Sequence, residues 1–167
     1  MSIRIGIITV SDRSSRGERA DTSGSALVEA VSQQGWQIIR TAIVPDELEK
    51  ISKIMVEWSD SGEVDIILTT GGTGFSRRDV TPEATQAVIQ RSTPGLTEAM
   101  RSAGLRITPH AMLSRATAGI RARTLIINLP GSPRGATENL AVVLPALPHA
   151  VQLLQEDPEA EAGHRSD

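Results

Sequence analysis

The sequence predicts a three-layer α/β/α domain with a mostly parallel sheet, and two observations support that prediction. The first is a set of short, nearly continuous apolar runs at residues 3–10, 64–70 and 123–129, with a weaker run at 36–44. Strands covered on both faces have this composition, whereas half-exposed strands alternate apolar and polar residues. The second is that segments with helical spacing separate these runs, without internal repeats. Such alternation favours one sheet with helices on both sides.

The helical segments are predicted from apolar residues spaced three and four apart. One begins at residues 21–23, one covers 48–58, and one begins at 81–84, where Thr-Pro-Glu is typical of a cap followed by a first-turn proline and acid. The last apolar stripe covers residues 140–154. Because proline lacks a backbone donor, we expect Pro145 and Pro148 to break that stripe into two helices.

Length and composition indicate one domain with a short extension. The 167 residues correspond to about one domain, which we place at residues 1–155. Residues 156–167 are acidic and small, without an apolar period, and we predict a flexible C-terminal tail there.

Composition also excludes several classes of function. The absence of cysteine excludes disulfides, thiolate metal sites and a cysteine nucleophile. A net charge of −3 and an aromatic content of 2% argue against nucleic acid as a partner. The longest apolar runs are far shorter than the ~20 residues of a membrane span, and the N-terminus lacks a signal-peptide pattern. We therefore expect a cytoplasmic protein that binds neither nucleic acid nor a membrane.

The loops that follow the predicted strands contain Gly, Ser, Thr, Asp and Arg, and the sharpest of them is residues 69–74 (Thr-Thr-Gly-Gly-Thr-Gly). In open α/β sheets ligands bind beyond the carboxyl ends of the strands. Three glycines in four residues expose consecutive backbone N–H groups, and the threonine hydroxyls add donors, so the loop suits an oxyanion such as phosphate. It matches neither a P-loop nor a dinucleotide fingerprint. The alternative is an ordinary tight turn, and the charged residues 77–79 favour the anion site.

Two aspartates near strand ends are candidates for a magnesium site. If the loops that contain Asp46 and Asp79 line one crevice, their carboxylates supply the oxygen ligands that Mg²⁺ prefers. The alternative is that each caps the helix that follows it, and that Asp12 is a turn residue. The three histidines are scattered, so a zinc site or a histidine-based triad is not expected.

Eight stretches, in this order, resemble the molybdopterin adenylyltransferase family of molybdenum cofactor biosynthesis, which includes domains of plant and animal fusion proteins. The resemblance extends over about residues 3–155, and its motifs are far more specific to the fold family than to activity. The stretches are 8–13 (Ile-Thr-Val-Ser-Asp-Arg), 21–24 (Asp-Thr-Ser-Gly), 44–47 (Val-Pro-Asp-Glu), 69–74, 78–85 (Arg-Asp-Val-Thr-Pro-Glu-Ala-Thr), 94–101 (Pro-Gly-Leu-Thr-Glu-Ala-Met-Arg), 113–115 (Leu-Ser-Arg) and 126–133 (Ile-Ile-Asn-Leu-Pro-Gly-Ser-Pro).

The resemblance implies the molybdopterin-binding-domain fold and a reaction in which molybdopterin and MgATP give adenylylated molybdopterin and pyrophosphate. It implies that Asp46 and Asp79 are catalytic and hold Mg²⁺, and that the nucleotide lies beside Pro130, Gly131 and Ser132. The substrate-binding residues that it implies are Ser11, Asp12, Thr69, Thr70, Gly71, Gly72, Thr73, Gly74, Glu98, Ser114 and Arg115.

The resemblance further implies a homotrimer that hands its product to the molybdate-inserting enzyme. Two other functions stay open at this point. One is a trimeric pterin-binding or scaffold protein without turnover, and the other is a nucleotide or pyrophosphate hydrolase of the same fold. Retention of both aspartates favours the enzyme, since a binding protein has no need of a metal site.

Overall fold

A computed structural model of the chain describes residues 2–156, which form one six-stranded sheet with helices on both faces. The strands are β1 (Arg4–Val10), β2 (Gln37–Val44), β3 (Ile66–Thr70), β4 (Arg91–Ser92), β5 (Ala118–Arg121) and β6 (Thr124–Leu129). Their order across the sheet is β2-β1-β3-β6-β5-β4. The first four strands in this order are parallel, and β5 and β4 add an antiparallel edge. The predicted mostly parallel sheet is confirmed.

The helices alternate with the parallel strands, as expected. They are α1 (Asp12–Ser15), α2 (Thr22–Ser32), α3 (Leu48–Asp60), α4 (Thr81–Val88), α5 (Pro94–Leu105), α6 (Pro133–Val143) and α7 (Leu147–Leu154), with 3₁₀ turns at Pro109–Leu113 and Leu144–Ala146. The predicted break in the last stripe is confirmed by the 3₁₀ turn between α6 and α7. The pattern did not reveal β4, β5, α1 or α5, because the first three are too short for a period and α5 has a weak apolar face with only two buried residues.

The start of α4 differs from the prediction. Thr81 is the first helical residue and not the cap, and the hydroxyl of Thr81 donates to the carbonyl of Gly71 at 2.9 Å. This bond joins the glycine-rich loop to the helix that follows it.

The core consists of two apolar layers, one on each face of the sheet. Alternate residues of the central strands enter different layers: Ile7 and Leu68 pack with α2, α5, α6 and α7, whereas Ile8 and Ile67 pack with α3 and α4. Each fully buried aliphatic side chain contributes about 1.5–3 kcal/mol. Burial on both faces is the reason that these strands are continuous apolar runs.

The topology brings four loops to one edge of the sheet. The chain leaves β1 toward β2 on one side and returns to β3 on the other, so the connection changes direction beside β1. In the parallel register Val10 faces Val44, and Thr70 faces both Thr9 and Leu129. The carboxyl ends of these strands therefore lie together, which is where ligands bind in open α/β sheets.

The predicted flexible tail at 156–167 lies outside the described residues except for Glu156, so that boundary stays a prediction. Across residues 2–156, no helix is both long and apolar enough to cross a bilayer.

Candidate functional site

A cleft of about 370 Å³ opens at the carboxyl edge of the parallel strands. The loops after β1, β2, β3 and β6 all contribute to its lining, so side chains far apart in sequence meet there. We call it the first cleft. The predicted site residues that it brings together are Ser11, Asp46, Thr70, Gly71, Gly72, Asp79, Gly131 and Ser132.

A second cleft of about 360 Å³ lies on the other side of the glycine-rich loop. The predicted site residues in its lining are Thr73, Gly74, Ser114, Pro130 and Ser132. Ser132 lines both clefts, and the loop separates them. Ser11 and Ser114, which the resemblance assigned to one substrate, therefore lie in different clefts.

The backbone of the glycine-rich loop has a conformation that only glycine adopts easily. Gly71 and Gly72 have φ angles of +100° and +68°. A Cβ atom at Gly71 would lie 2.2 Å from the carbonyl oxygen of Val10, and one at Gly72 would lie 2.3 Å from the hydroxyl of Thr81. Within residues 2–156 the N–H groups of Gly72, Thr73 and Gly74 donate no hydrogen bond. The loop thus offers three backbone donors to an anion.

The hydroxyls of the two threonines before the glycines do not serve as the expected donors. Thr69 is fully buried and lines neither cleft, and its hydroxyl accepts a bond from the amide of Asn128 at 3.0 Å. The Thr70 hydroxyl donates to the carbonyl of Pro130 at 2.7 Å. Both side chains connect β3 to β6 or to the turn that follows it, so these two hydroxyls are not among the donors that the loop offers to a ligand.

Asp46 follows β2 and does not cap the helix after it. The helix α3 begins at Leu48 without a side-chain cap bond, so the capping alternative is wrong here. One carboxylate oxygen of Asp46, Oδ2, accepts from the backbone N–H of Asp12 at 2.9 Å, and Oδ1 accepts no hydrogen bond within the described chain. Burial raises the pKa of Asp46, and the negative charges of Asp12 and Asp79 raise it further.

Asp79 has a similar arrangement on the neighbouring loop. Its Oδ2 accepts from the backbone N–H of Ser76 at 2.9 Å, and Oδ1 accepts no hydrogen bond within residues 2–156. The helix α4 begins without a side-chain cap bond, so Asp79 is not its cap. Each of the two carboxylates keeps one oxygen that no protein donor uses.

Besides Thr69, three predicted substrate-binding residues do not line either cleft. Asp12 is not a simple turn residue: its carboxylate accepts two bonds from Arg78 at 2.9 Å and one from the Asp46 backbone. Arg115 donates from Nε to the carbonyl of Gly74 and from Nη2 to the carbonyl of Asp79, both at 2.7 Å, and it also pairs with Glu83. Glu98 is exposed on α5. Asp12 and Arg115 therefore contact site residues and not the cleft itself.

The sequence interpretation missed part of the first cleft. Arg19 and Asp21 line it from the segment between α1 and α2, and Thr22 and Ser23 line it from the first turn of α2. Arg19 is exposed and makes no ion pair within the described chain, whereas Asp21 caps α2 through the N–H of Gly24. The available signal was position, because this segment also follows β1.

The donor set of the first cleft fits a magnesium ion held with help from a ligand. Asp46 and Asp79 supply free carboxylate oxygens, and Mg²⁺ usually takes one or two carboxylates together with phosphates and water. Within residues 2–156, no group of three or more His, Cys, Asp or Glu side chains is arranged to hold a metal ion. The protein alone does not complete a metal cage, so a metal ion held there would take its remaining ligands from a bound molecule or from water.

Comparison with known proteins identifies the family. Residues 6–149 match the family model described as a probable molybdopterin-binding domain. The molybdopterin adenylyltransferase of Helicobacter pylori is 44% identical over 155 residues, with 92% of this chain and 88% of that protein covered. The Escherichia coli molybdopterin adenylyltransferase is 39% identical, with 92% and 86% covered. Gephyrin of Dictyostelium discoideum is 45% identical, and this chain spans 24% of its length.

A solved structure agrees with the sequence relatives. The molybdopterin biosynthesis enzyme MoaB from Thermus thermophilus superposes with a TM-score of 0.88 at 51% identity, and the match covers 93% of this chain and 98% of that one. The extent of the family match, the fold and the length shared with the bacterial relatives agree with one another. The chain belongs to the molybdopterin-binding domain family.

Proposed function

We propose that this chain is a molybdopterin adenylyltransferase that works in molybdenum cofactor biosynthesis. A terminal phosphate oxygen of molybdopterin attacks the α-phosphorus of ATP. The bond from that phosphorus to the bridging oxygen of the β-phosphate breaks, and pyrophosphate leaves. The observation that carries the proposal is the pair of Asp46 and Asp79, each with a free carboxylate oxygen, beside a loop with three free N–H groups. Relatives that match most of this chain carry this activity in their names.

The roles of the protein groups follow from the charges involved. Both substrates are anions and the nucleophile belongs to the substrate, so the protein must position the phosphates and neutralise charge. The N–H groups of Gly72, Thr73 and Gly74 bind a phosphate, and Asp46 and Asp79 hold Mg²⁺. When bound, the metal withdraws charge from the phosphate oxygens. Arg19 supplies the unpaired positive charge in the lining of the first cleft.

The two neighbouring clefts match a reaction of two substrates. Gly71 and Gly72 line the first cleft, Thr73 and Gly74 line the second, and Ser132 lines both. Two substrates that occupy the clefts would therefore meet at the glycine-rich loop and at the Pro130–Ser132 turn. A protein that only binds a pterin has no need of the second cleft or of two metal-binding carboxylates.

One assay separates the three candidate functions. The purified protein is incubated with molybdopterin, ATP and Mg²⁺, and both adenylylated molybdopterin and pyrophosphate are measured. We expect both products in equal amounts, and neither without molybdopterin. Pyrophosphate or AMP without adenylylated pterin would indicate a hydrolase, and bound pterin without products would indicate a binding protein. The Asp79→Asn variant is the matched control for contaminating activity.

We also propose that the chain acts in the cytoplasm as a homotrimer and passes its product to a molybdate-inserting enzyme. The similarity to the family supports this part of the proposal. Light scattering should give a mass of three chains, and a monomer mass at working concentration would contradict the trimer.

A further inference from the structure

Arg78, Asp12 and Asp46 connect the loops after β3, β1 and β2 through a chain of hydrogen bonds. We propose that Arg78 is a positioning residue that holds Asp46 in place through Asp12. The proposal rests on the proposed function, because Asp46 is the reacting-site group that the contacts orient.

Four hydrogen bonds link these three residues. Arg78 donates from Nε to Oδ2 and from Nη2 to Oδ1 of Asp12, both at 2.9 Å, in a bidentate pair. Asp12 and Asp46 then exchange bonds: the N–H of Asp46 donates to Oδ1 of Asp12 at 3.0 Å, and the N–H of Asp12 donates to Oδ2 of Asp46 at 2.9 Å. The backbone and the carboxylate of Asp46 are both held through the one partner that Arg78 orients.

This arrangement leaves a defined oxygen for the ligand. Because Oδ2 of Asp46 is bound to the Asp12 backbone, Oδ1 is the oxygen left without a donor among residues 2–156, and it lies 3.1 Å from the position of a Cβ atom at Gly72. The free oxygen thus lies beside the glycine-rich loop. A shift of about 1 Å in such a group can reduce turnover about 10²-fold.

Arg78 also reduces the electrostatic repulsion between the carboxylates of Asp12 and Asp46. Two carboxylates this close repel each other, and a guanidinium paired with Asp12 offsets its charge. The Arg78 side chain is 60% exposed, and exposed ion pairs contribute little to stability. Arg78 lines neither cleft, and its bidentate edge is used by Asp12, so a direct bond to substrate does not explain its place.

The test compares Arg78→Gln with Arg121→Gln. Arg121 makes the same bidentate contact, with Asp60 at 2.8 and 2.9 Å, on a part of the surface outside both clefts. Amide hydrogen exchange by NMR is the readout that needs neither metal nor activity. We expect the Asp12 and Asp46 amides to exchange at least about 10-fold faster in Arg78→Gln and to be unchanged in Arg121→Gln.

Kinetics give the second readout. We expect Arg78→Gln to lower kcat about 10- to 100-fold, to raise the Mg²⁺ concentration needed for half-maximal rate, and to leave KM for molybdopterin within about twofold. Arg78→Lys should recover only part of kcat, because an ammonium group cannot form the bidentate pair. Asp12→Asn combined with Arg78→Gln should lose much less than the product of the single losses, because both act through one contact.

The outcomes distinguish a failure of the positioning role of Arg78 from a failure of the proposed function. Unchanged exchange of both amides in Arg78→Gln would overturn the positioning role, whatever the enzyme does. Faster exchange with unchanged kcat would also overturn it, because Asp46 would then need no such support. A third outcome is faster exchange in Arg78→Gln together with a wild-type protein that makes no adenylylated product. This outcome would refute the proposed function, but it would still show that Arg78 holds the Asp12–Asp46 contact.

Discussion

The two ends of the parallel strands both carry aspartates, but they use them in opposite ways. At the amino end, Asp65 is fully buried and accepts bonds from the Arg4 backbone at 2.8 Å, from the Arg4 guanidinium at 2.7 and 3.2 Å, and from Gln155 at 3.0 Å. At the carboxyl end, Asp46 and Asp79 each accept one backbone bond, and each keeps one oxygen to which none of the described residues donates.

The difference separates a carboxylate that the protein fully satisfies from carboxylates that keep bonding capacity for a ligand. A buried carboxylate is tolerated when protein donors satisfy its charge, and both oxygens of Asp65 are satisfied. Asp46 and Asp79 line one cleft with incomplete pairing, which costs stability. Under the proposed function a cation offsets this cost when it binds between them. Substitutions at the amino end should therefore lower stability with little effect on activity. Substitutions at the carboxyl end should lower activity with little effect on stability.

The largest effect is expected at the glycine-rich loop of the carboxyl end. Gly72→Val forces a branched residue into a φ of +68° and places its Cβ against Thr81 and Asp46. Molybdopterin affinity, measured by fluorescence titration, should fall at least about 10³-fold, or about 4 kcal/mol, whereas ATP binding stays measurable. Gly35→Val has the same left-handed backbone, but apart from its chain neighbours no atom lies within 4 Å of the added Cβ, so this variant should keep pterin affinity. Unchanged affinity in Gly72→Val would refute the phosphate loop.

The second largest effect is expected at the two aspartates of the first cleft, Asp46 and Asp79. Asp79→Asn and Asp46→Asn keep the side-chain shape and remove the charge, so each should lower turnover at least about 10²-fold, or about 2.7 kcal/mol, with little change in stability. If both act through one metal ion, the double variant should lose much less than the product of the two losses. Product formation at the wild-type rate in both single variants would support a binding protein instead.

The amino end should show the reverse pattern. Arg4→Met leaves the buried Asp65 without its ion pair and should lower the free energy of unfolding by about 2 kcal/mol. This loss is smaller than that for a wholly buried pair, because the Arg4 side chain is 34% exposed. Urea denaturation measures the loss, and turnover per folded molecule should stay within about twofold. A large loss of turnover without loss of stability would contradict the assignment of this end as structural.

The smallest effect concerns the stability of Asp46→Asn. The pKa of Asp46 is raised above its ordinary value of 3.8, so in that pH window the folded state binds more protons than the unfolded state. The contribution of Asp46 to the free energy of unfolding therefore falls as pH rises through the raised pKa. Above that pKa the full cost of burying the charged carboxylate is present. Removing the charge should raise Tm by about 1–3 °C at pH 7, with the gain disappearing toward pH 3.8.

Calorimetry across pH checks this prediction. A Tm that falls by several degrees would show that the charge of Asp46 supports the fold.

The sequence alone determined the strand–helix alternation, the parallel sheet and the end of the sheet at which polar loops meet. These properties depend on local periodicity and on burial of both strand faces, which neighbouring residues encode. The glycine-rich loop was also readable, because consecutive glycines restrict what the backbone there can do. Asp46 and Asp79 were readable as candidates because each lies in a loop near a strand end, and the similarity of several motifs to one family pointed to the same two residues.

The tertiary structure decided which polar atoms remain free. Three residues have types suited to a phosphate site: Thr69, Asp12 and Arg115. Partners 32 to 66 residues away along the chain take up their bonding capacity. The sequence pattern did not predict Arg19 in the lining of the first cleft, because an isolated arginine in a loop has no periodic signal. A hydrogen bond uses an atom only once the fold brings its partner within about 3 Å, and no local pattern records that distance.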